Sequence, residues 1–202
     1  MGLLHRRLCA PHLGTAVTGG RLVRPLLLAL AVWLGALATP VAAAAQEALH
    51  GTVTWVYDAD TLLIAPYGKV RLLGIDAPEK APSPRDRDFT SLGIAPERLR
   101  TVHHAGLAWS IRNVKGAPVT LTFDRPERDR YGRLLAYVRL ADGRLLNRLL
   151  LEEGLVIVYR RAAFTAMADF LAAEADARQR GVGLWGKGGA PRSADNPPSL
   201  FE

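Results

Sequence analysis

Cysteine is nearly absent from this chain. The single one, Cys9, lies in a stretch that reads as a removable leader. The folded part then has no thiol to pair or to hold a metal, which excludes disulfide scaffolds and thiolate metal sites. Histidines at chelating spacing are missing as well. His103 and His104 are adjacent, and neighbouring helix residues point about 100° apart, so they are expected at a surface or an interface rather than as a ligand pair. No internal repeat is found, which argues against solenoids and propellers. Nor does one sign of charge dominate. The net charge is +7, and removing residues 1–45 takes away four arginines and no acid, leaving +3. That balance does not by itself argue for a polyanionic partner, so the placement of charges matters more than their sum.

What is present begins with an address. Arg21 and Arg24 precede an apolar run over Pro25–Ala38, and Val41–Ala45 supplies small residues. A basic flank, an apolar core and an A-x-A-like end describe a secretory signal peptide over residues 1–45, with cleavage between Ala43 and Gln46. The alternative is a retained membrane anchor, since Pro25–Ala45 is long enough to span a bilayer. Pro40 and the alanine-rich end favour cleavage. Export, to the periplasm or the medium, is the expectation. From Lys187 onward glycine, serine and proline dominate, so residues 187–202 read as a disordered tail. A single domain is left between them, over residues 46–186.

The sharpest signal within that domain runs from Val56 to Glu79. Two apolar strands, Leu62–Ala65 and Val70–Leu73, flank a turn at Pro66–Gly68. A hairpin brings its ends together, so Asp60 and Asp76 can meet. Carboxylates held close repel unless they share a proton or a cation. Arg71, inside an otherwise apolar strand, is costly unless paired or placed at a site. Glu79 follows Pro78. Two carboxylates for a hard metal, a third carboxylate and an arginine fit phosphodiester chemistry. The plain alternative is that Asp58, Asp60 and Asp76 are turn residues and Glu79 a solvated loop acid.

Three blocks decide between these readings: D-A-D-T at Asp58–Thr61, V-R-L-L-G-I-D-A-P-E at Val70–Glu79, and D-R-Y-G-R-L-L-A-Y-V at Asp129–Val138. In order and spacing they resemble the staphylococcal nuclease (thermonuclease-like) family. Weaker echoes follow at Leu145–Leu155 and Glu174–Trp185, so the resemblance covers Ala48 to Trp185. It implies a β-barrel with helices, an α+β fold: a five-stranded OB barrel carrying three α-helices. It also implies Ca²⁺ held by Asp60, Asp76 and the backbone carbonyl of Ala77, with Thr61 and Asp58 supporting the site. Ala77 stands where the best-known member has threonine, but a carbonyl ligand needs no particular side chain. Glu79 would activate water, and Arg71 and Arg133 would clamp the phosphate. Arg130, Tyr131 and Tyr159 would contact substrate. The implied reaction is in-line attack by water on DNA or RNA, breaking the bond to the 5′ oxygen and leaving 3′-phosphate ends. A monomer with no stable protein partner is expected, and a membrane only if the leader is retained. The rival is a catalytically silent OB module that binds nucleic acid. Such modules usually lose the carboxylates or arginines, and this chain keeps all five.

The remaining elements follow from pattern. Leu49–Val56 reads as the first strand, Pro118–Phe123 as the fourth and Leu134–Leu140 as the fifth. Pro96 opens a helix that Gly116 closes, with Leu99, Val102, Leu107, Ile111 and Val114 as its stripe. Leu145–Glu153 and Thr165–Arg180 read as two more helices, the latter with Met167 and Leu171 inward. Lys80–Ala95 is rich in Pro, Arg, Asp and Ser and reads as an exposed loop that departs from the family pattern. Asn147 is expected to fix local structure by hydrogen bonds.

Overall fold

The computed structural model describes residues 48–124 and 127–186. The leader and anchor readings over residues 1–45 and the tail from residue 187 lie outside them. Among the described residues no helix is long and apolar enough to cross a membrane.

Three strands open the fold: β1 (Leu49–Asp58), β2 (Thr61–Ala65) and β3 (Gly68–Leu72). They pair antiparallel in succession. A two-residue strand, β4 (Ile75–Asp76), follows, and β5 (Pro118–Thr122) and β6 (Leu134–Leu140) come later. The barrel closes in the order β1-β2-β3-β6-β5, with β5 against β1. Only the β3–β6 pairing is parallel. Closure leaves the barrel itself no open edge for another chain to extend.

Alternation explains how this barrel carries both a core and a site. Leu62, Ile64, Val70 and Leu72 are essentially fully buried and point inward. Their neighbours Thr61, Leu63, Lys69 and Arg71 therefore face outward, because successive strand residues point to opposite sides. The register places Thr61 opposite Arg71 and Leu63 opposite Lys69. Arg71 is thus an outward residue that other groups cover, not a charge in the core.

The expected barrel is present, but four α-helices accompany it among the described residues rather than three. These are α1 (Asp86–Thr90), α2 (Pro96–Val114), α3 (Leu146–Glu152) and α4 (Met167–Arg180). The extra one, α1, sits in the segment read as an exposed loop. That reading fails because Phe89 and Ile94 are buried there and Leu92 packs against the core beside them, apolar anchors enough to fold a strap that is otherwise mostly polar. A second small sheet, β4 with β7 (Ile157–Val158), was also not expected. Strands of two residues carry too little periodicity to be read.

Two inward assignments need correction. Ile111 is exposed. Gly106 brings α2 close against Ala59, which turns the face of Leu99, Val102, His103, Gly106 and Ser110 to the barrel. His103 is consequently at an interface, buried between α2 and the Pro78 carbonyl, rather than at the surface. Leu171 is exposed too, because the inward row of α4 is Phe170, Ala173, Glu174 and Ala177, at steps of three and four. Met167 is half-buried. Asn147 behaves as expected: its Oδ1 accepts the Val138 N–H at 2.9 Å, and its Nδ2 donates to the carbonyls of Leu73 at 2.8 Å and Ala136 at 3.2 Å. It bolts α3 to the point where the chain leaves β3.

Candidate functional site

Asp60 sits in the turn between β1 and β2. Asp58 Oδ1 accepts the Asp60 N–H at 3.0 Å, an ordinary Asx turn. The Asp60 carbonyl accepts the Leu72 N–H at 2.8 Å, which fixes the turn to the end of β3. Its carboxylate accepts the Thr61 hydroxyl at 2.9 Å and the Ala77 amide at 2.6 Å. Asp60 and Asp76 are both buried. The Arg71 guanidinium joins them, one terminal nitrogen on Asp60 and the other on Asp76. The hairpin therefore does bring the two carboxylates together, as the spacing predicts.

A second arginine reaches the same place. Arg85, just before α1, contacts Asp76 and donates to Glu79 at 3.0 Å. Its strap is tied down at α1: Asp86 pairs with Arg100 at 2.7 Å, and Asp88 receives both bonds of Arg161 at 2.6 and 2.7 Å. His103 fixes the chain on the other side, its Nδ1 donating to the Pro78 carbonyl at 2.9 Å. Glu79 thus follows a pinned proline, and its carboxylate is about two-fifths exposed. Sequence reasoning missed Arg85 and His103. Arg85 lies in a segment with no apolar periodicity, and His103 is one of two adjacent histidines, so only its rotation on α2 distinguishes it.

Beside this cluster opens a cleft of about 580 Å³, lined by Arg71, Asp76, Arg85, Arg130, Arg133 and Tyr159 among others. Arg71 pairs with Leu135 across the parallel ladder, and Arg133 precedes Leu135 by two, so both arginines share the outer face of the barrel. Gly132 (φ 79°) makes the turn that delivers Arg133. Asp129 then holds it, accepting Nε and Nη2 at 2.7 Å each and the Arg133 amide at 3.0 Å. Arg130 donates to the Tyr131 hydroxyl at 2.8 Å. The guanidiniums of Arg130 and Arg133 lie 4.8 and 5.5 Å from the Tyr131 ring centre. Tyr131 is the most exposed of the large apolar side chains, suited to meet something from solution. Tyr159 is anchored by its amide to the Gly74 carbonyl at 2.9 Å.

The electrostatics follow from this packing. Burial lowers the pKa of Arg71, and Asp76 works against that shift while the Arg85 charge reinforces it. Arginine stays charged regardless. Burial raises the pKa of Asp58, opposed by Arg71. Burial also pushes Asp129 up, but the bonds from Arg133 and Tyr131 outweigh it and hold the carboxyl below its ordinary value.

No cluster of three or more His, Cys, Asp or Glu ligands exists among the described residues. The donor set still fits a hard cation. Two buried carboxylates converge on one cationic group, and oxygen donors of this kind suit a hard ion. The Ala77 amide, rather than its carbonyl, is the group seen against Asp60.

The family model described as staphylococcal nuclease homologue matches residues 69–187. An uncharacterised protein of Methanocaldococcus jannaschii is 31% identical over 152 residues, covering 69% of this chain and 73% of its own. A protein of Escherichia coli named as an uncharacterised endonuclease is 32% identical over 140 residues, covering 68% and 77%. A thermonuclease of Staphylococcus intermedius is 30% identical over 139 residues, covering 64% and 72%.

Proposed function

Because this chain belongs to the staphylococcal nuclease homologue family, we propose that its arginine-lined cleft hydrolyses phosphodiester bonds of DNA, RNA or both with the aid of Ca²⁺. The chain is a nuclease, and its substrate is nucleic acid. One observation carries the finer reading: Arg71 is gripped by both Asp60 and Asp76 at the mouth of a cleft that also holds Arg133. A silent binding module would have no use for two buried carboxylates, which weaken its hold on phosphate.

In this reading Asp60, Asp76 and the Ala77 carbonyl hold the cation, with Thr61 fixing Asp60 and Asp58 fixing the turn. When bound, Ca²⁺ offsets negative charge on the phosphate. Arg71 and Arg133 grip the phosphate oxygens, where charge grows as the phosphorus is attacked. Glu79 takes the proton of the attacking water. The new bond forms from that water oxygen to phosphorus, and the bond to the 5′ oxygen breaks; that oxygen takes a proton from solvent, leaving a 3′-phosphate and a 5′-hydroxyl. Arg130, Tyr131 and Tyr159 line the cleft for the flanking nucleotides. Export of the mature chain, beginning near Gln46, is part of the same proposal and rests on the leader pattern.

The test is the purified protein incubated with DNA and with RNA, in Ca²⁺ and in EGTA. Cleavage in Ca²⁺ that stops with EGTA supports the reading. Full activity in EGTA with no other divalent ion present removes the metal from it.

A further inference from the structure

Outside the cleft, two large rings stand in solvent on one strand. Trp55 is 51% and Tyr57 43% exposed, both on β1, and a pair of large exposed rings side by side is more telling than one alone. They stand two residues apart and share one side of the strand. Each is covered by an ammonium group: Lys115 Nζ lies 4.7 Å from the Trp55 ring centre, and Lys69 Nζ lies 4.1 Å from that of Tyr57. Among the described residues neither lysine is paired with a carboxylate.

Register ties this patch to the site. Trp55 is opposite Leu63, and Leu63 is opposite Lys69. That row crosses the outer face of β1–β2–β3 over two interstrand spacings, about 10 Å. Lys69 precedes Arg71 by two residues on β3, about 7 Å along the same outer face. The row therefore continues the face on which Arg71 meets its carboxylates.

We propose that the outer face of β1–β3 is a second nucleic-acid subsite, a track for a single strand leading away from the cleft. Trp55 and Tyr57 stack unpaired bases there, and Lys69 and Lys115 meet the phosphates between them. Rings beside unpaired cations suit a polyanion with π-faces, and a duplex offers no free base face for stacking. The inference rests on the nuclease reading for its placement, but binding tests it separately.

The experiment uses the whole protein and its variants Trp55→Ala/Tyr57→Ala and Lys69→Ala/Lys115→Ala. Affinity for a cleavage-resistant phosphorothioate single strand of about 12 nucleotides, within the usual range for an OB fold, is read by anisotropy. KM and kcat are read on the cleavable strand and on a mononucleotide p-nitrophenyl ester too short to reach β1. Losing the rings is expected to weaken strand binding and raise its KM by about tenfold per ring, with kcat on the small ester unchanged. Losing the lysines is expected to flatten the salt slope by about 1.4, at about 0.7 per phosphate contact. Trp55→Phe/Tyr57→Phe keeps the rings and is expected to stay near the wild-type affinity, and a duplex of equal length is expected to respond little. Wild-type strand affinity and salt slope in both alanine double variants would overturn the proposal, as would an equal loss on the duplex. The face then serves a protein partner or none. A wild-type chain that binds the strand through β1 but cleaves nothing would sink the nuclease reading and leave the track standing.

Discussion

At the scale of single residues, the cluster around Asp60 divides catalytic from positioning roles by what each side chain touches. In the proposed reaction Glu79 and Arg133 act on the substrate, so Glu79→Gln and Arg133→Ala are each expected to lower single-turnover cleavage by about a hundredfold or more. Affinity for a short DNA should change far less, because only interactions that strengthen in the transition state raise the chemical rate. Near-normal cleavage in both variants would defeat the assignment. Asp129 acts through Arg133, which it holds by three bonds. Its carboxyl lies below the ordinary value when folded, as does that of Asp124, where burial is outweighed by bonds from Thr165 and Tyr137. A depressed carboxylate contributes stability that is present above its unfolded pKa, about 4, and lost as pH falls through the lower folded value. Thermal melts from pH 6 down to pH 2 are therefore expected to show a smaller decline for Asp129→Asn and Asp124→Asn than for the wild type.

At the scale of elements, the strap carrying α1 separates this chain from a bare barrel. Phe89 is fully buried, so Phe89→Ala is expected to cost about 3–5 kcal/mol in urea unfolding if the strap folds with the core. A cost well under 1 kcal/mol would mean that the strap unfolds on its own. The strap also sets the charge of the site through Arg85, which contacts Asp76 and Glu79. A guanidinium on Asp76 competes with any divalent cation for the same oxygens, and the two positive charges repel. Arg85→Ala is therefore expected to tighten Ca²⁺ binding severalfold in calorimetric titration. Weaker binding would show that Arg85 organises the ligands instead of opposing the ion. Asn147 is the corresponding element-scale anchor on the other side. Asn147→Leu strands the Val138 amide and the Leu73 carbonyl, while the Ala136 carbonyl keeps the Leu73 N–H, at a cost of about 2 kcal/mol.

At the scale of the whole molecule, a closed barrel supplies a rigid frame on which a repulsive pair of carboxylates can be held. If Ca²⁺ binds there in the folded state alone, it stabilises by mass action, about 2.7 kcal/mol at a hundredfold excess over its Kd. The melting temperature is then expected to rise with Ca²⁺ and to fall back in EGTA, and Asp60→Ala is expected to abolish that shift. A rise that persists in Asp60→Ala would place the ion elsewhere. Mature protein from its host is expected to begin near Gln46 outside the cytoplasm, and N-terminal sequencing checks it. An intact Pro25–Ala45 in membrane-bound protein would favour the anchor.

By itself, the sequence determined the parts of this protein that depend on neighbours along the chain. Alternation between Leu62 and Leu72 sets which residues face the core, and the turn chemistry between them makes the hairpin. Asp60, Arg71 and Asp76 sit at its ends, so their meeting was legible in one dimension. Arg133 was legible only through the family resemblance of the block Asp129–Val138, since by itself it reads as an ordinary surface arginine. Only tertiary structure decided what arrives from elsewhere. Arg85 reaches Asp76 because Phe89 and Ile94 bury a strap that reads as polar loop. His103 reaches Pro78 because Gly106 sets how α2 rests on the barrel. Trp55 and Lys69 share a face with Arg71 only through the register of three strands. Local pattern records the period of a strand or helix, whereas contacts between distant segments depend on packing that no single period encodes.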